Sequence, residues 1–320
     1  MNCSPILIVH GEPNSVFLEI LFKTLKIKTI KSPIILISSE KILSSQMKKF
    51  KFKKKINKLD INNLSFKNLN NKSINLININ FAQKKTFEKI SNKSKKFIEK
   101  SFEIAFEIIK NKKISKFING PISKKHFLNH KYLGITEYIS AKFSVKKTCM
   151  LIYNKELSVC PVTTHLPLKQ VVKNLNKKSI LKKIFLIDSF YKNNFGYKPK
   201  IGILGVNPHC ESIDKFDEDK KIINPVIKTL KKKYKVSGPY PADTIFIKKM
   251  RQKFDVIVGM YHDQVLTPIK TIYEYNAINI TLGLPFLRVS PDHGPNEKML
   301  GKNLSNPSSL IQAINFLDNN

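Results

Sequence analysis

Three histidines stand just after apolar runs, at points where a buried strand is expected to end. The segments are LSVCPVTTHLP with His165, IGILGVNPHC with His209 and FDVIVGMYHDQ with His262. Runs of Val, Ile and Leu closed by Pro, Asn or Asp predict strands, and open α/β sheets bind ligands beyond the carboxyl ends of strands. Imidazole is a common ligand of divalent transition metals. We therefore expect the three rings to share one metal ion, although each histidine alone fits a hydrogen-bonded turn residue.

Arginine is rare in this lysine-rich chain, which makes its positions informative. The two arginines are Arg251 and Arg288, and Arg288 follows the apolar run in NITLGLPFLRVS. A guanidinium group binds carboxylate or phosphate through two parallel hydrogen bonds, which lysine cannot do. Further polar groups stand at comparable points: Lys124, Thr136, Glu137, Asp243, Asp263, Lys270 and Asn279. The set predicts an anionic substrate, with phosphate as the first expectation, and Asp263 is a candidate partner for the ring of His262.

Strand-like and helix-like segments alternate along the chain. Strands are predicted at 5–10, 33–38, 116–120, 148–154, 157–163, 201–208 and 255–262, and helices at 15–26, 83–111, 168–196, 217–233 and 243–252. This alternation predicts an α/β fold with a largely parallel sheet. The motifs GxGxxG, GxxxxGK[ST] and GxSxG do not occur. An ordinary Rossmann dinucleotide site, a P-loop and a hydrolase nucleophile elbow are therefore unsupported.

The composition is that of a globular protein of one large or two ordinary domains. The chain has 320 residues, 42% hydrophobic and 25% charged, with a formal net charge of +34. That charge comes almost entirely from lysines spread along the whole chain, so we do not expect nucleic-acid binding as the primary role. The N-terminus is interpreted as a strand and not as a signal peptide, and no membrane segment is expected. The four cysteines form no CxxC pair, which predicts free thiols and a cytoplasmic location.

Eight motifs, taken in order, resemble the 4-hydroxythreonine-4-phosphate dehydrogenase family of vitamin B6 biosynthesis. They are GEP, NGPISK, GITEY, VTTHLPL, VNPHCES, GPYPADTIF, GMYHDQVLTPIK and NITLGLPFLRVSPDHG. The resemblance is dense from about residue 116 to 301 and thin before it. It implies a two-domain layered α/β fold similar to that of isocitrate and isopropylmalate dehydrogenases, with the active site in the interdomain cleft. We expect a first domain at 1–128, completed by 275–320, and a second at 129–274.

The resemblance also implies an activity. Members of the family oxidise 4-phosphooxy-L-threonine with NAD, which they bind without the Rossmann fingerprint. The product, 2-amino-3-oxo-4-phosphooxybutanoate, loses CO₂ to give 3-amino-2-oxopropyl phosphate, a precursor of pyridoxal 5'-phosphate. One divalent metal per subunit (Zn²⁺, Mg²⁺ or Co²⁺) would lower the pKa of the substrate hydroxyl and stabilise the charge that develops on decarboxylation. The expected partners are this small phosphorylated substrate and a second copy of the chain, with neither nucleic acid nor membrane.

Individual roles carry over to matching positions. The metal ligands of the family match His165, His209 and His262 and are contributed across a dimer interface, so the resemblance implies a homodimer with a shared active site. The substrate contacts match Thr136, Lys270, Asn279 and Arg288. Lys270, Asp243 and Asp263 are the candidate catalytic residues, and no residue is assigned to NAD.

One departure from the family pattern opens alternatives. The family has GHTE where this chain has GITE, so Ile135 replaces a histidine that contacts the substrate. An isoleucine side chain cannot donate a hydrogen bond. This leaves open a related dehydrogenase for another four-carbon phosphorylated hydroxy acid, or a homologue that has lost activity and keeps a binding role.

Overall fold

A computed structural model describes residues 4–66, 69–112, 114–128, 131–291 and 293–320. The strands are β1 Ile6–Val9, β2 Ile34–Ser38, β3 Lys55–Lys58, β4 Ser73–Asn78, β5 Lys116–Asn119, β6 Cys149–Tyr153, β7 Ser158–Thr163, β8 Ile201–Leu204, β9 Val236–Tyr240, β10 Val256–Tyr261, β11 Ile278–Leu282 and β12 Leu287–Pro291. The α-helices are α1 Phe17–Ile27, α2 Glu40–Lys49, α3 Lys95–Lys112, α4 Ile135–Lys142, α5 Leu168–Asn174, α6 Lys177–Phe195, α7 Asn224–Leu230, α8 Ala242–Ile245, α9 Lys248–Arg251, α10 His262–Tyr273 and α11 Ser308–Asn319. Short 3₁₀ or π turns lie at Asn92–Ser94, Lys124–Leu128, Pro208–Cys210, Asp219–Ile223 and Glu297–Met299. The predicted α/β class is confirmed.

The chain forms two compact units. The first comprises the residues up to Tyr138 together with Pro285–Asn320, and the second comprises Ile139–Leu284. The division thus falls after Tyr138 and after Leu284, and it groups the C-terminal segment with the N-terminal part. The domain limits after residues 128 and 274 stay a prediction.

The first unit contains a parallel sheet in the strand order β3-β4-β2-β1-β5-β12. Its central strands are continuous apolar runs, such as ILIV in β1, and every residue of that run is buried. Such runs are typical of parallel strands that are covered on both faces by helices. The edge strand β3 (KINK) is mostly exposed and carries lysines, which discourage pairing with another chain.

The second unit has the strand order β11-β6-β7-β10-β8-β9. Strand β6 is antiparallel to both of its neighbours, and β7, β10, β8 and β9 are mutually parallel. In the pairing of β6 with β7, Ile152 stands beside Val159. The sheet is therefore largely parallel, and the carboxyl ends of four adjacent strands lie at one edge.

Two predicted helices differ from the observed ones because polar side chains satisfy the backbone locally. The helix predicted at 83–111 is helical only from Lys95, since the Glu88 carboxylate accepts hydrogen bonds from the backbone N–H groups of Lys84 and Lys85. The helix predicted at 168–196 divides after Asn174. There Asn176 caps α6 by accepting a hydrogen bond from the Ser179 N–H, which starts a new helix.

Two other predicted helices are also shorter than expected. Residues 217–233 form a π turn followed by α7, which begins at Asn224. Pro225 falls in the first turn of α7, where backbone N–H groups have no acceptor within the helix, so proline costs no helical hydrogen bond there. The helix predicted at 243–252 is two single turns, α8 and α9.

Candidate active site

The three predicted metal ligands follow three neighbouring parallel strands. In the register of the sheet, Thr163 of β7 stands beside Tyr261 of β10, and Ile203 of β8 stands beside Val258 of β10. His165 lies two residues beyond β7, His262 begins α10 directly after β10, and His209 lies in the 3₁₀ turn after β8. The fold thus carries all three histidines to the same edge of the sheet, where ligands of open α/β sheets bind.

The rings of His165 and His262 lie close together. Their centroids are 5.9 Å apart with an interplanar angle of 40°. The Nδ1 atom of His262 is 2.7 Å from Oδ1 of Asp263, as the sequence suggested for that carboxylate. When Nδ1–H donates to a carboxylate, Nε2 keeps its lone pair for a metal. This is the arrangement in which a metal-ligating imidazole is usually held.

The backbone at two of these histidines is unusual. His165 has φ 56° and His209 has φ 55°, and Cys210 next to it has φ 64°. Non-glycine residues rarely adopt this left-handed conformation, which costs about 1–2 kcal/mol each and is concentrated at functional sites. His165 and His209 are both exposed, so burial of their side chains does not explain the conformation. The strain supports a binding role for these two turns.

The loop that carries His209 is fixed by a buried carboxylate. Asp219 accepts hydrogen bonds from the N–H groups of Val206 and Asn207, at 2.9 Å and 3.0 Å, and from the Asn207 side-chain amide at 3.0 Å. Burial raises the pKa of Asp219, and these hydrogen bonds oppose that shift. Sequence reasoning missed this residue, although an aspartate shortly after a ligand loop is a candidate for such support.

Replacing Asp219 with asparagine should destabilise the second unit by about 1–3 kcal/mol. Asparagine would place an amide NH₂ donor where a carboxylate oxygen of Asp219 now accepts a hydrogen bond from a backbone N–H. Urea unfolding followed by circular dichroism measures the loss. Asp214→Asn is the matched control, because Asp214 is exposed and should change stability by less than about 0.5 kcal/mol. Equal unfolding curves for the two variants would contradict the assignment of Asp219.

The described residues of one chain do not form a complete three-ligand metal site. Within the described ranges, no group of three His, Cys, Asp or Glu side chains could hold a metal ion. The donor chemistry of His165 and His262, with Asp263 behind one of them, nevertheless fits a divalent transition metal. The assignment of His165, His209 and His262 to one metal therefore remains a prediction.

The predicted arginine is a buried cation in the first unit. Arg288 is fully buried on β12, and its Nε donates to Oδ1 of Asn119 at 2.8 Å. One terminal nitrogen also donates to the Thr136 hydroxyl at 3.4 Å. Burial lowers the pKa of Arg288 to about 10, and the nearby Glu137 carboxylate opposes this shift. A guanidinium group binds anions through parallel hydrogen bonds, and Arg288 and Thr136 belong to the predicted substrate set.

The remaining predicted residues lie in the second unit. Asn279 is on β11, and its Oδ1 is buried with no hydrogen-bond partner among the described residues. Lys270 is half-buried on α10, the helix that begins with His262. Asp243 is exposed at the start of α8. Burial raises the pKa of the Cys210 thiol, and the charges of Asp219 and Asp243 contribute in the same direction. Asp263 is engaged with His262, which favours an orienting role for that carboxylate.

Glu12 is a buried carboxylate in the first unit that the sequence analysis did not single out. Glu12, in the GEP turn after β1, accepts hydrogen bonds from the Ser94 hydroxyl at 2.9 Å and from the Asn14 N–H at 3.2 Å. Burial raises the pKa of Glu12 to about 6. Its own N–H donates to the Pro121 carbonyl at 2.8 Å, which joins the GEP turn to the NGP turn after β5. The GEP motif was the available signal for this residue.

The elevated pKa of Glu12 makes a prediction about pH. Because the folded state holds the proton more tightly than the unfolded state, stability is lost as pH rises from about 4.5 to about 6, by about 2 kcal/mol. In Glu12→Gln this contribution is absent, so the stability of the wild type relative to the variant should fall over that range. Urea titrations at several pH values measure it, with the exposed Glu103→Gln as the control. A difference that does not vary with pH would contradict the prediction.

Known proteins similar to this chain include dehydrogenases. The chain is 41% identical over 217 residues to the 4-hydroxythreonine-4-phosphate dehydrogenase of Sulfurihydrogenibium sp., covering 66% of this chain and 67% of that protein. It is 34% identical over 199 residues to the D-threonate 4-phosphate dehydrogenase of Pectobacterium atrosepticum, covering 61% of each. The crystal structure of the 4-hydroxythreonine-4-phosphate dehydrogenase from Klebsiella pneumoniae matches with a TM-score of 0.83 and 26% identity over 98% of each chain.

Fold and relatives together define an α/β oxidoreductase. The family model described as pyridoxal phosphate biosynthetic protein PdxA matches residues 29–317. The chain belongs to that family, as its motifs indicated. In the described part of the chain, no helix has the length and apolar character needed to cross a bilayer.

Proposed function

We propose that this protein oxidises 4-phosphooxy-L-threonine with NAD in a reaction that depends on a divalent metal. The product, 2-amino-3-oxo-4-phosphooxybutanoate, then loses CO₂ to give 3-amino-2-oxopropyl phosphate for pyridoxal 5'-phosphate biosynthesis, in the cytoplasm. The observation that carries the proposal is the pair of strand-end histidines, His165 and His262, with ring centroids 5.9 Å apart. The match to relatives named for this substrate supports it.

The chain's own residues divide into a metal-binding set and a substrate-binding set. His165 and His262 would hold the metal with His209, and imidazole donors favour Zn²⁺ or Co²⁺ over Mg²⁺. When bound, the metal would supply Lewis acidity at the reacting oxygen, and NAD would supply the hydride acceptor. Thr136, Lys270, Asn279 and Arg288 would bind the phosphate and amino-acid groups and hold the substrate in register. Lys270 and Asp243 are the candidates for moving the hydroxyl proton, while Asp263 orients His262.

The active form is proposed to be a homodimer in which His209 comes from the partner copy. One chain lacks a third ligand beside His165 and His262 among its described residues. The helices that follow His165 expose apolar side chains, including Leu168 at 70% and Phe185 at 53%. Exposed apolar groups on adjacent helices are typical of an interface. A second copy would cover them and could bring its own His209 loop to the site.

A related substrate is the second candidate, favoured by two observations. Ile135 replaces the family histidine directly before Thr136, whose hydroxyl accepts a hydrogen bond from Arg288. The relative in Pectobacterium atrosepticum is named for D-threonate 4-phosphate. That substrate has a hydroxyl in place of the amino group, so the loss of one side-chain contact could change the preference between them.

Formation of NADH at 340 nm tests both candidates. The purified protein is stripped with a chelator, reloaded with Zn²⁺, Co²⁺ or Mg²⁺, and assayed with NAD and each of the two phosphorylated acids. Metal-dependent NADH formation with 4-phosphooxy-L-threonine is the expected result. A clear preference for D-threonate 4-phosphate would select the second candidate, and no NADH with either acid would contradict the proposed activity.

A further inference from the structure

The strands that lead to His209 and His262 separate just before their ends. The parallel ladder between β8 and β10 is recorded from Val256 beside Ile201 to Val258 beside Ile203. Two residues further along, the gap between Gly205 and Met260 is spanned by the side chain of Gln264, from the first turn of α10. Its Nε2 donates to the Gly205 carbonyl at 2.7 Å, and its Oε1 accepts from the Met260 N–H at 2.7 Å. The side-chain amide replaces a peptide group in the ladder.

Glycines make room for this bridge. A Cβ atom at Gly259 would lie 2.9 Å from the Gln264 Oε1 and 2.5 Å from the Val265 side chain. A Cβ atom at Gly205 would lie 2.7 Å from both the Cys210 sulfur and the Asp219 carboxylate. These separations are shorter than carbon atoms adopt in packed proteins, so both positions require glycine. Gly259 therefore makes room for Gln264 beside β10, and Gly205 makes room for the Cys210 and Asp219 side chains in the loop after β8.

The other side of β10 is braced in a similar way. The Thr163 hydroxyl at the end of β7 donates to the Met260 carbonyl at 2.7 Å. The Met260 residue is thus bound through its N–H by Gln264 and through its carbonyl by Thr163. His165 follows Thr163 by two residues, His262 follows Met260 by two residues, and His209 follows Gly205 by four residues. The hydrogen-bonded residues thus precede all three candidate ligands by only two to four residues.

We propose that Gln264 is a positioning residue that holds both turns for metal binding: the His262 turn at the site of its own chain, and the His209 turn that would serve the site of the partner copy. This inference rests on the proposed metal-dependent function. The Asp219 carboxylate holds the Val206 and Asn207 segment, so a displacement of Gly205 is passed on to His209. Metal affinity depends on supporting groups that fix ligand orientation, and losing one such group costs roughly 10–100-fold in affinity. Gln264 supplies this support through the backbone of two strands.

Cobalt titration of the purified full-length protein tests the role of Gln264. Co²⁺ bound by histidines gives visible absorption bands whose energy and intensity report coordination geometry. Gln264→Met keeps the length of the side chain and removes both hydrogen bonds, and should weaken Co²⁺ binding by roughly tenfold or more with altered bands. Gln264→Glu keeps the acceptor for the Met260 N–H and should give a smaller loss of Co²⁺ affinity. This second variant provides the test if the methionine variant fails to fold.

A matched control is available in the same unit. Asn154 donates to the Asn276 carbonyl and accepts from the Glu156 N–H, and lies in the turn before β7. Asn154→Ala should leave Co²⁺ affinity and spectrum unchanged. Wild-type affinity and bands in both Gln264 variants, with only a lower melting temperature, would overturn the positioning role and leave the proposed function standing. Failure of the wild-type protein to bind Co²⁺ would overturn the proposed function itself and this inference with it.

Discussion

His262→Ala is expected to remove the divalent metal from the protein and to lower kcat by roughly a thousandfold or more. The estimate follows because loss of a group that merely orients a metal ligand already costs roughly 10–100-fold, and His262 is proposed to be the ligand itself. The side chain is half-exposed at the start of α10, and its one recorded hydrogen bond is to the exposed Asp263. Its removal should therefore leave the fold intact. Metal per chain by mass spectrometry, NADH formation and thermal melting measure these effects.

Two further variants make the result specific. Asp263→Ala should retain the metal with affinity reduced by roughly 10–100-fold, because it removes only the partner of Nδ1. His126→Ala is the histidine control: the His126 ring is paired with Asn92 in the first unit and should not affect metal content. Full metal occupancy in purified His262→Ala would remove this residue from the ligand set.

Arg288→Lys is expected to raise KM for the phosphorylated substrate by roughly 10–100-fold while the protein remains folded. Lysine keeps the positive charge but has no planar fork, so it cannot hold Asn119 and Thr136 while it binds an anion through two parallel hydrogen bonds. Hydrogen bonds to charged groups contribute about 1.5–3 kcal/mol, which corresponds to this range of KM. Initial-rate kinetics with varied substrate and saturating NAD measure the change.

The second arginine provides the matched control. Arg251 lies at the end of α9, in the unit that does not contain Arg288, and its side chain donates to the Phe246 carbonyl. Arg251→Lys should leave KM unchanged. If Arg288→Lys alters only the melting temperature, with kinetics equal to those of Arg251→Lys, then Arg288 is a structural cation and not part of the substrate site.

Much of the fold was readable from the sequence because buried parallel strands are continuous apolar runs. The runs before His165, His209 and His262 predicted β7, β8 and β10, and the sheet order then placed their ends at one edge. Helix limits were less accurate wherever a polar side chain replaced helical hydrogen bonds. The helix predicted from residue 83 begins only at Lys95, because the Glu88 carboxylate accepts hydrogen bonds from the N–H groups of Lys84 and Lys85.

The candidate site was predictable in its residue types and not in its supports. Histidine after an apolar run is a visible pattern, and Arg288 stood out against a background of lysine. Gln264 and Asp219 carry no such pattern, because their importance depends on where two strands separate and on which N–H groups face a loop. Ile135, directly before Thr136, was informative because it departs from the family pattern.

Co-expression of His209→Ala and His262→Ala chains tests most directly whether one metal is shared between two copies. Each variant alone should be inactive. In a mixed dimer, intact His165 and His262 of one chain would meet intact His209 of the other at one of the two sites. Random pairing should therefore restore about a quarter of wild-type activity and metal content. No recovery in a preparation shown to contain mixed dimers would contradict the shared three-histidine site.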